Sequence, residues 1–350
     1  MFRVFEGRTA DEVWRTVALA FRRGEGTEQS SRAGDTRELL HSAMSLSEPT
    51  QRWVTSRFPP INPAFAIAET IWIITGRNDS AFLNYFNRQL PKFAGHRENY
   101  HGAYGYRLRH HLGIDQIERA YQALKFKPQS RQAVLQIWDG RIDLPSDTGE
   151  EADADVPCNV LSILKVRRGR LEWMQILRSN DLYRGLPYNL VQFTTLQEVL
   201  AGWLDVALGE YNQISNSLHV YCSDIEYLNN SVSYEPGEDL RNTDSLAFPK
   251  EESERWFREL ADQVQLIINE DVLVDALMLN LRQFNAPEAY RNMLCVLSAE
   301  GARRRGRPET ADEIMSDCTN PVFRHLFDRW ILRFQKDLKS APETRFAQTR

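Results

Sequence analysis

Cysteine is scarce in this chain of 350 residues. Four are present, at positions 158, 222, 295 and 318, and none forms a Cys-x-x-Cys pair. That spacing speaks against a thiolate zinc module, and a chain this long needs no disulfide staples; the thiols are read as reduced and the protein as cytoplasmic. Long apolar runs are lacking too. No stretch approaches about 18 uninterrupted apolar residues, so no membrane-spanning helix is predicted. The opening MFRVFEGRTADEVW carries no apolar core of a secretory signal. Nor is there an excess of positive charge: 43 Lys and Arg stand against 48 Asp and Glu, a net charge of −5. Proteins that grip duplex nucleic acid usually show the opposite balance. A local basic site for a small anion remains compatible with it.

Hydrophobic residues at 42% and charged residues at 26% exclude a disordered, collagenous or coiled-coil chain. Length alone allows one large domain or two. Residues 8–23 open with Thr9 as a candidate helix cap, followed by apolar residues at near-helical spacing. The following GEGTEQSSRAGDTREL is rich in Gly, Ser and charge and reads as an exposed loop. Residues 63–76 (PAFAIAETIWIITG) begin with Pro, end with Gly and are apolar on all sides except at Glu69, which predicts a buried helix. A further helix is expected over 79–88. Residues 131–138 and 159–166 read as strands, the second turning at Gly169 into a hairpin return, LEWMQILR. The acidic segment between them, SDTGEEADADVP, reads as a solvated loop. Helices are predicted over 190–208 and 321–338 from their one-sided apolar spacing. The periodicity supports a mixed α and β chain with a largely helical C-terminal region.

Residues 157–189 hold the densest chemistry. Cys158 stands just before a strand, the hairpin return ends in Arg178-Ser179-Asn180-Asp181, and Arg184-Gly185-Leu186-Pro187 leads into Tyr188-Asn189 and a helix. Strand ends and helix starts gather polar groups around pockets. Each residue also has a plainer reading. Taken singly, Cys158 is a small buried side chain, Arg178 a surface ion pair, Asn189 a helix cap, Asp181 an Asx turn and Glu69 a carboxyl paired with an arginine.

The pattern resembles the thymidylate synthases. Pro157-Cys158, Arg178-Ser179-Asn180-Asp181 and Gly185-Leu186-Pro187-Tyr188-Asn189 follow that family's signature in order. Around them, Ser31-Arg32-Ala33-Gly34-Asp35-Thr36 resembles its phosphate loop and Glu69-Thr70-Ile71-Trp72 its Glu-Leu-Leu-Trp helix. Gly102-Ala103-Tyr104-Gly105, Ser130-Arg131-Gln132 and Asn216-Ser217-Leu218-His219-Val220-Tyr221 resemble three more of its motifs. The matches span about residues 30–230, inside what is read as one domain over 1–350 with a divergent region from about 240.

The resemblance implies an α+β fold with a mixed sheet flanked by helices, a homodimer through back-to-back sheets, and 5,10-methylenetetrahydrofolate as co-substrate with no metal. Cys158 would add to C6 of a pyrimidine nucleoside monophosphate, making C5 nucleophilic toward the one-carbon unit. Arg178 would lower the thiol's pKa and, with Arg32 and Ser179, hold phosphate. Arg131 would reach the partner's phosphate. Asn189 would donate to O4 and accept from N3–H of uracil, and His219 and Tyr221 would bond the ribose. Glu69, with a raised pKa, would move protons, and Tyr104 would help remove the C5 proton through water. Asp181, with Glu69 and Gly185, would serve the folate.

Four departures from the family stand out. Asn159 replaces the His that follows the nucleophile and joins the network at O4. Gln132 replaces a second Arg. The folate-facing Trp is absent from Asn87-Arg88-Gln89-Leu90-Pro91-Lys92-Phe93. The end, APETRFAQTR, is unlike the family's apolar closing tail. Asn189 puts dUMP methylation first. The missing Trp and the different tail support the alternative, a 5-hydroxymethylase acting on a uridine or cytidine nucleotide, in which water ends the reaction. A non-catalytic nucleotide-binding homologue is a further alternative, disfavoured because a binder needs no nucleophile. The Arg-rich 302–307 (ARRRGR) reads as a solvated face, and nucleic acid is not expected as a partner.

Overall fold

The computed structural model describes residues 2–234, 237 and 240–340. Strand β1 (Arg3–Gly7) precedes α1 (Ala10–Arg22), whose first turn is closed by Thr9: its Oγ1 accepts from the Glu12 backbone N–H at 3.1 Å. Next come β2 (Thr27–Gln29) and β3 (Thr36–Leu46), an antiparallel pair where a loop is expected from sequence. Strand β2 is exposed along its whole length, so its polar composition is that of an edge strand and masks the pairing.

Helix α2 (Pro63–Ile74) forms where the apolar run predicts it. Asn62 Oδ1 caps it by accepting from Phe65 N–H at 3.1 Å, and Pro63 fits the first turn. Three short helices follow, α3 (Ser80–Asn84), α4 (Leu90–Ala94) and α5 (Tyr104–Tyr106), then α6 (Gln116–Phe126). The strand expected over 131–138 is only β4 (Val134–Gln136), followed by α7 (Gly140–Asp143). Strands β5 (Asn159–Arg167) and β6 (Arg170–Asp181) form the expected hairpin; Arg168 (φ 51°) and Gly169 (φ 70°) both take the left-handed conformation that a tight two-residue turn requires. Helix α8 (Leu186–Leu204), β7 (Ala207–Tyr221) and α9 (Tyr227–Ser233) follow. The last helices are α10 (Lys250–Ile268), α11 (Val274–Gln283), α12 (Glu288–Arg304), α13 (Pro308–Ser316) and α14 (Pro321–Ser340). Among the described residues no helix is long and apolar enough to cross a membrane. The C-terminal residues 341–350, in which the family's closing tail is not recognised, lie outside those described.

The strands form one mixed sheet in the order β1-β3-β7-β6-β5-β4, with β2 on β3. Strands β6 and β7 run parallel with Asp181 beside His219 and Ser179 beside Ser217, so both chains end at one place. Helix α2 has apolar side chains all round because it is covered all round: α8, α10, α12 and α14 all pack on it. The C-terminal helices therefore close the far side of the helix that carries Glu69.

A buried ion pair ties this packing together. The Arg52 guanidinium meets the Glu198 carboxylate of α8, with side chains 3% and 2% exposed. Glu198 Oε1 also accepts from Leu246 N–H at 2.9 Å, and Arg52 Nη1 donates to Thr195 Oγ1 at 2.5 Å. Glu198→Ala leaves the Arg52 cation buried without its partner and should destabilise the fold by about 3–5 kcal/mol. Urea titration followed by circular dichroism checks this; a loss within about 1 kcal/mol, the range of an exposed pair, contradicts it.

Candidate active site

The ends of β5, β6 and β7, the start of α8 and the middle of α2 open onto one cleft of about 1320 Å³. Pockets for single drug-sized ligands run up to about 1,000 Å³, so two small molecules fit here side by side. Of the residues singled out in the sequence, Cys158, Glu69, Tyr104, Asn189, Asp181, Arg32, Arg178, Ser179, His219, Tyr221 and Gly185 all line it. Asn159 stands buried behind it. Arg131 lies outside it, exposed before β4.

Cys158 is seated by the β5–β6 pairing, its carbonyl accepting from Arg178 N–H at 2.9 Å. The Arg178 guanidinium donates to the carbonyls of Pro157 and Val156, both at 3.0 Å, and lies over the Trp138 ring at 5.5 Å. Arg178 pulls the thiol pKa down, as expected, but a larger effect opposes it. Burial pushes the Cys158 thiol above its ordinary value, and the attraction of Arg178, though it acts in the expected direction, is the smaller effect. Asp155 and Asp181 add to the rise.

Among the described residues Glu69 has no arginine partner. Its carboxylate accepts from Gln192 Nε2 at 2.5 Å, and burial raises its pKa to about 7 despite that bond. Tyr104, at the start of α5, faces Cys158, Glu69 and Asn159, and burial holds its hydroxyl proton well above the usual phenol range. Gly105 makes this approach possible, since a Cβ there would stand 2.3 Å from the Ile73 carbonyl of α2. Asn189 reaches from α8 between two other amides: Asn159 Nδ2 donates to its Oδ1 at 3.4 Å, and its own Nδ2 donates to Asn180 Oδ1 at 3.2 Å.

Asp181 makes the Asx turn that its local sequence suggests. Its Oδ1 accepts from Tyr183 and Arg184 N–H at 2.6 Å each, an Asx turn. Its Oδ2 is buried without a hydrogen-bond partner, 4.0 Å from His219 Nε2, and is free for a ligand's donor. His219 packs edge-on against Tyr221, over whose ring Arg184 sits at 4.3 Å. Arg32, on the β2–β3 connection, is paired with Glu151 at 2.7 Å and donates to the Ala154 carbonyl at 3.2 Å.

The acidic segment is the exposed loop expected over most of its length, but not all of its carboxylates face water. Glu151, Asp153 and Asp155 line the cleft, and Asp153 pairs with Arg97 at 2.8 Å. Asp155 accepts from Gly102 N–H at 2.8 Å, and burial raises its pKa to about 6. The reading of the Arg-rich run at 302–307 as a solvated face is corrected. Arg303 and Arg304 pair with the fully buried Glu300, and Arg305 donates to the Ile267 and Asn269 carbonyls. Gln192 and Trp138 escaped notice because each sits among residues of ordinary composition, and Asp155 because its acidic segment reads as solvated; the folded cleft brings all three to the thiol and the carboxyl. Trp330 and Arg333 of α14 also reach the cleft from a region without recognisable motifs.

A thiol, a carboxyl that titrates near neutrality, an amide and an unpartnered carboxylate oxygen thus share one cleft. The chain belongs to the thymidylate synthase family, whose model matches residues 21–264, to within α10. It is 35% identical over 212 residues to a deoxyuridylate hydroxymethyltransferase of Bacillus phage SP01, covering 57% of this chain and 54% of that protein. A putative thymidylate synthase of Methanothermobacter marburgensis is 38% identical over 125 residues, covering 36% of this chain and 53% of its own length. The thymidylate synthase of Francisella philomiragia is 23% identical over 227 residues, covering 62% of this chain and 83% of its own. The chain spans about half the length of the first two of these relatives.

Proposed function

We propose that this chain transfers a one-carbon unit from methylenetetrahydrofolate to C5 of deoxyuridine monophosphate and releases the 5-hydroxymethyl product. The observation that carries the reading is the meeting of Cys158, Glu69, Tyr104, Asn189 and Asp181 in a cleft wide enough for two ligands. Cys158 adds to C6. Its raised pKa keeps it a thiol in the free protein, so binding of nucleotide must help it to ionise. Glu69 gives and takes a proton near neutral pH at the reacting edge of the base. Tyr104 orients water for removal of the C5 proton, and Asn189 reads the O4 and N3–H edge of uracil. Arg178, Arg32 and Ser179 hold the phosphate, for which Arg32 must leave Glu151. His219 and Tyr221 bond the sugar. When bound, the folate supplies the one-carbon unit; Asp181 Oδ2 receives an N–H from its pterin, beside Glu69 and Gly185.

Asn189 bears on the base and is neutral about the product. The product is argued from the relatives named deoxyuridylate hydroxymethyltransferase and from Asn87-Arg88-Gln89, polar residues in the stretch where the family places an aromatic wall against water. Methylation is the second reading, favoured by Trp330, which lines the cleft from α14 and offers such a wall from another element. The experiment is the product mass after incubation with methylenetetrahydrofolate and each of dUMP, UMP, dCMP and CMP. A gain of CH₂O from dUMP, with tetrahydrofolate left unoxidised, supports the proposal. A gain of CH₂ with dihydrofolate formed means methylation, and no product with any nucleotide leaves a binding protein.

A homodimer belongs to the same proposal. Helix α8 covers one face of the sheet. On the other, Leu161, Ile176, Ile214 and Ala43 are cross-strand neighbours in one row, all only half-buried, and Met174 stands exposed beside them. Such a row is stable in water when a second sheet covers it. Arg131, exposed at the β4 side, then serves the partner's cleft. Ile214→Lys should halve the mass seen by sedimentation velocity; an unchanged mass at micromolar concentration would rule this face out.

A further inference from the structure

Behind Asn189 the protein contains a chain of buried amides with one end that cannot be reversed. Trp173 and Gln175 lie two residues apart on β6 and face the same side, and Gln175 stands opposite Ser162 of β5. Gln175 Oε1 accepts from Trp173 Nε1 at 3.1 Å and from Ser162 Oγ at 2.6 Å. Gln175 Nε2 then donates to Asn159 Oδ1 at 2.9 Å, and Asn159 Nδ2 donates to Asn189 Oδ1 at 3.4 Å. On the other side Asn189 Nδ2 donates to Asn180 Oδ1, Ser215 Oγ accepts from Asn180 Nδ2 at 3.2 Å and from Gln213 Nε2 at 3.3 Å, and Gln213 Oε1 accepts from the Tyr211 hydroxyl at 2.9 Å. Every member of this chain is at most 5% exposed.

An indole N–H donates and never accepts, whereas an amide can turn end for end and a hydroxyl can do either. Trp173 is therefore the only member whose polarity is set by its own chemistry. It makes Gln175 Oε1 the acceptor, so Gln175 Nε2 must donate, Asn159 must offer an N–H, and Asn189 must keep its oxygen toward Asn159. Beyond Asn180, the Ser215 hydroxyl, the Gln213 amide and the Tyr211 hydroxyl can follow either direction. From this we infer that Trp173 and Gln175, neither of which reaches the cleft, are positioning residues that make the site choose uracil over cytosine. Cytosine carries an acceptor at N3 and a donor at C4, the reverse of uracil, and needs the Asn189 amide turned over. A turned Asn189 would oppose its N–H₂ to that of Asn159 and its oxygen to that of Asn180, leaving buried polar groups unpaired on both sides. The position after the nucleophile, where this chain has Asn159 rather than the family's His, is thus tied to a tryptophan on the next strand.

The inference rests on the reading of Asn189 as the base contact, and its test is the ratio of the dissociation constants for dUMP and dCMP, measured by calorimetry. Trp173→Phe removes the one-way donor and leaves Ser162, whose hydroxyl works in either direction. The preference for dUMP should fall by at least about tenfold. Ser162→Ala keeps the indole and should leave the preference within about twofold. Gln175→Glu offers oxygen to both neighbours, turns Asn159 over and should move the preference furthest toward dCMP. A purely structural role predicts weaker binding of both nucleotides with the ratio kept, so a preserved ratio in folded Trp173→Phe overturns the inference even if Gln175→Glu does not fold. Equal losses of preference in Trp173→Phe and Ser162→Ala would overturn it as well. A wild-type chain that binds no pyrimidine nucleotide overturns the functional reading and this inference together. A wild type that prefers dUMP, with a ratio none of the variants changes, overturns this inference alone.

Discussion

Cys158→Ser is expected to slow release of the C5 hydrogen of dUMP by at least about 10³-fold, because a hydroxyl at this site remains protonated and is a poor nucleophile. The dissociation constant of dUMP should stay within about threefold, since phosphate, base and sugar are held by other side chains. Labelled dUMP and the rate of label appearing in water provide the measurement; a serine variant that exchanges at the wild-type rate removes Cys158 from the mechanism. The same thiol predicts an alkaline profile in the free protein. Its pKa is raised by burial, so the thiolate is a small fraction at neutral pH and alkylation by iodoacetamide should climb with pH until beyond the ordinary thiol value. Arg178→Ala removes the opposing attraction, raises the pKa further and should slow alkylation at pH 8. Faster alkylation in that variant would contradict the balance between burial and charge described here.

Glu69→Gln should trade activity for stability. The carboxyl keeps its proton to about pH 7 in the fold, against the ordinary 4.5. Above pH 7 the native state must bear a buried charge that the unfolded chain carries at no such cost, so this group destabilises the fold at alkaline pH. The burden fades as pH falls through 7 toward 4.5. An amide in its place carries no charge in either state. The substitution should therefore stabilise the protein by up to about 3 kcal/mol at pH 8 and by less than about 1 kcal/mol at pH 5. Exchange of the C5 hydrogen should drop by about 10²–10⁴-fold, the usual range for a lost general acid or base, and the limb of the pH–rate profile near 7 should vanish. Gln192→Leu removes the hydrogen bond that favours the carboxylate, so the limb should move to higher pH. Urea titrations at both pH values and the two rate profiles make the check. A limb near 7 that survives in Glu69→Gln assigns it to another group, with Asp155 at about 6 the first to examine.

How much of this was legible beforehand varies with the range of the interaction. Helix α2 and the β5–β6 hairpin follow from local periodicity and turn chemistry, and both form where expected. Strand β2 was hidden because an exposed edge and a loop have the same composition. The Arg-rich run at 302–307 misled, and the acidic segment at 146–157, a largely exposed loop as expected, told only part, for a related reason: charge says that a side chain needs a partner, and sequence does not reveal whether that partner is water or Arg32, Arg97 or Glu300.

The sequence by itself determined which chemical groups the site would contain. Short motifs in family order name the thiol, the arginines, the amide and the carboxyls, because the chemistry demands those side chains at those chain positions. Tertiary structure alone decided their state. Burial of Cys158 outweighs Arg178, Gln192 rather than an arginine partners Glu69, and Trp173 reaches through Gln175 to the amide beside the cleft. Desolvation and hydrogen-bond polarity are set by everything packed around a group, from strands and helices far apart in the chain, and no window of sequence contains that surrounding.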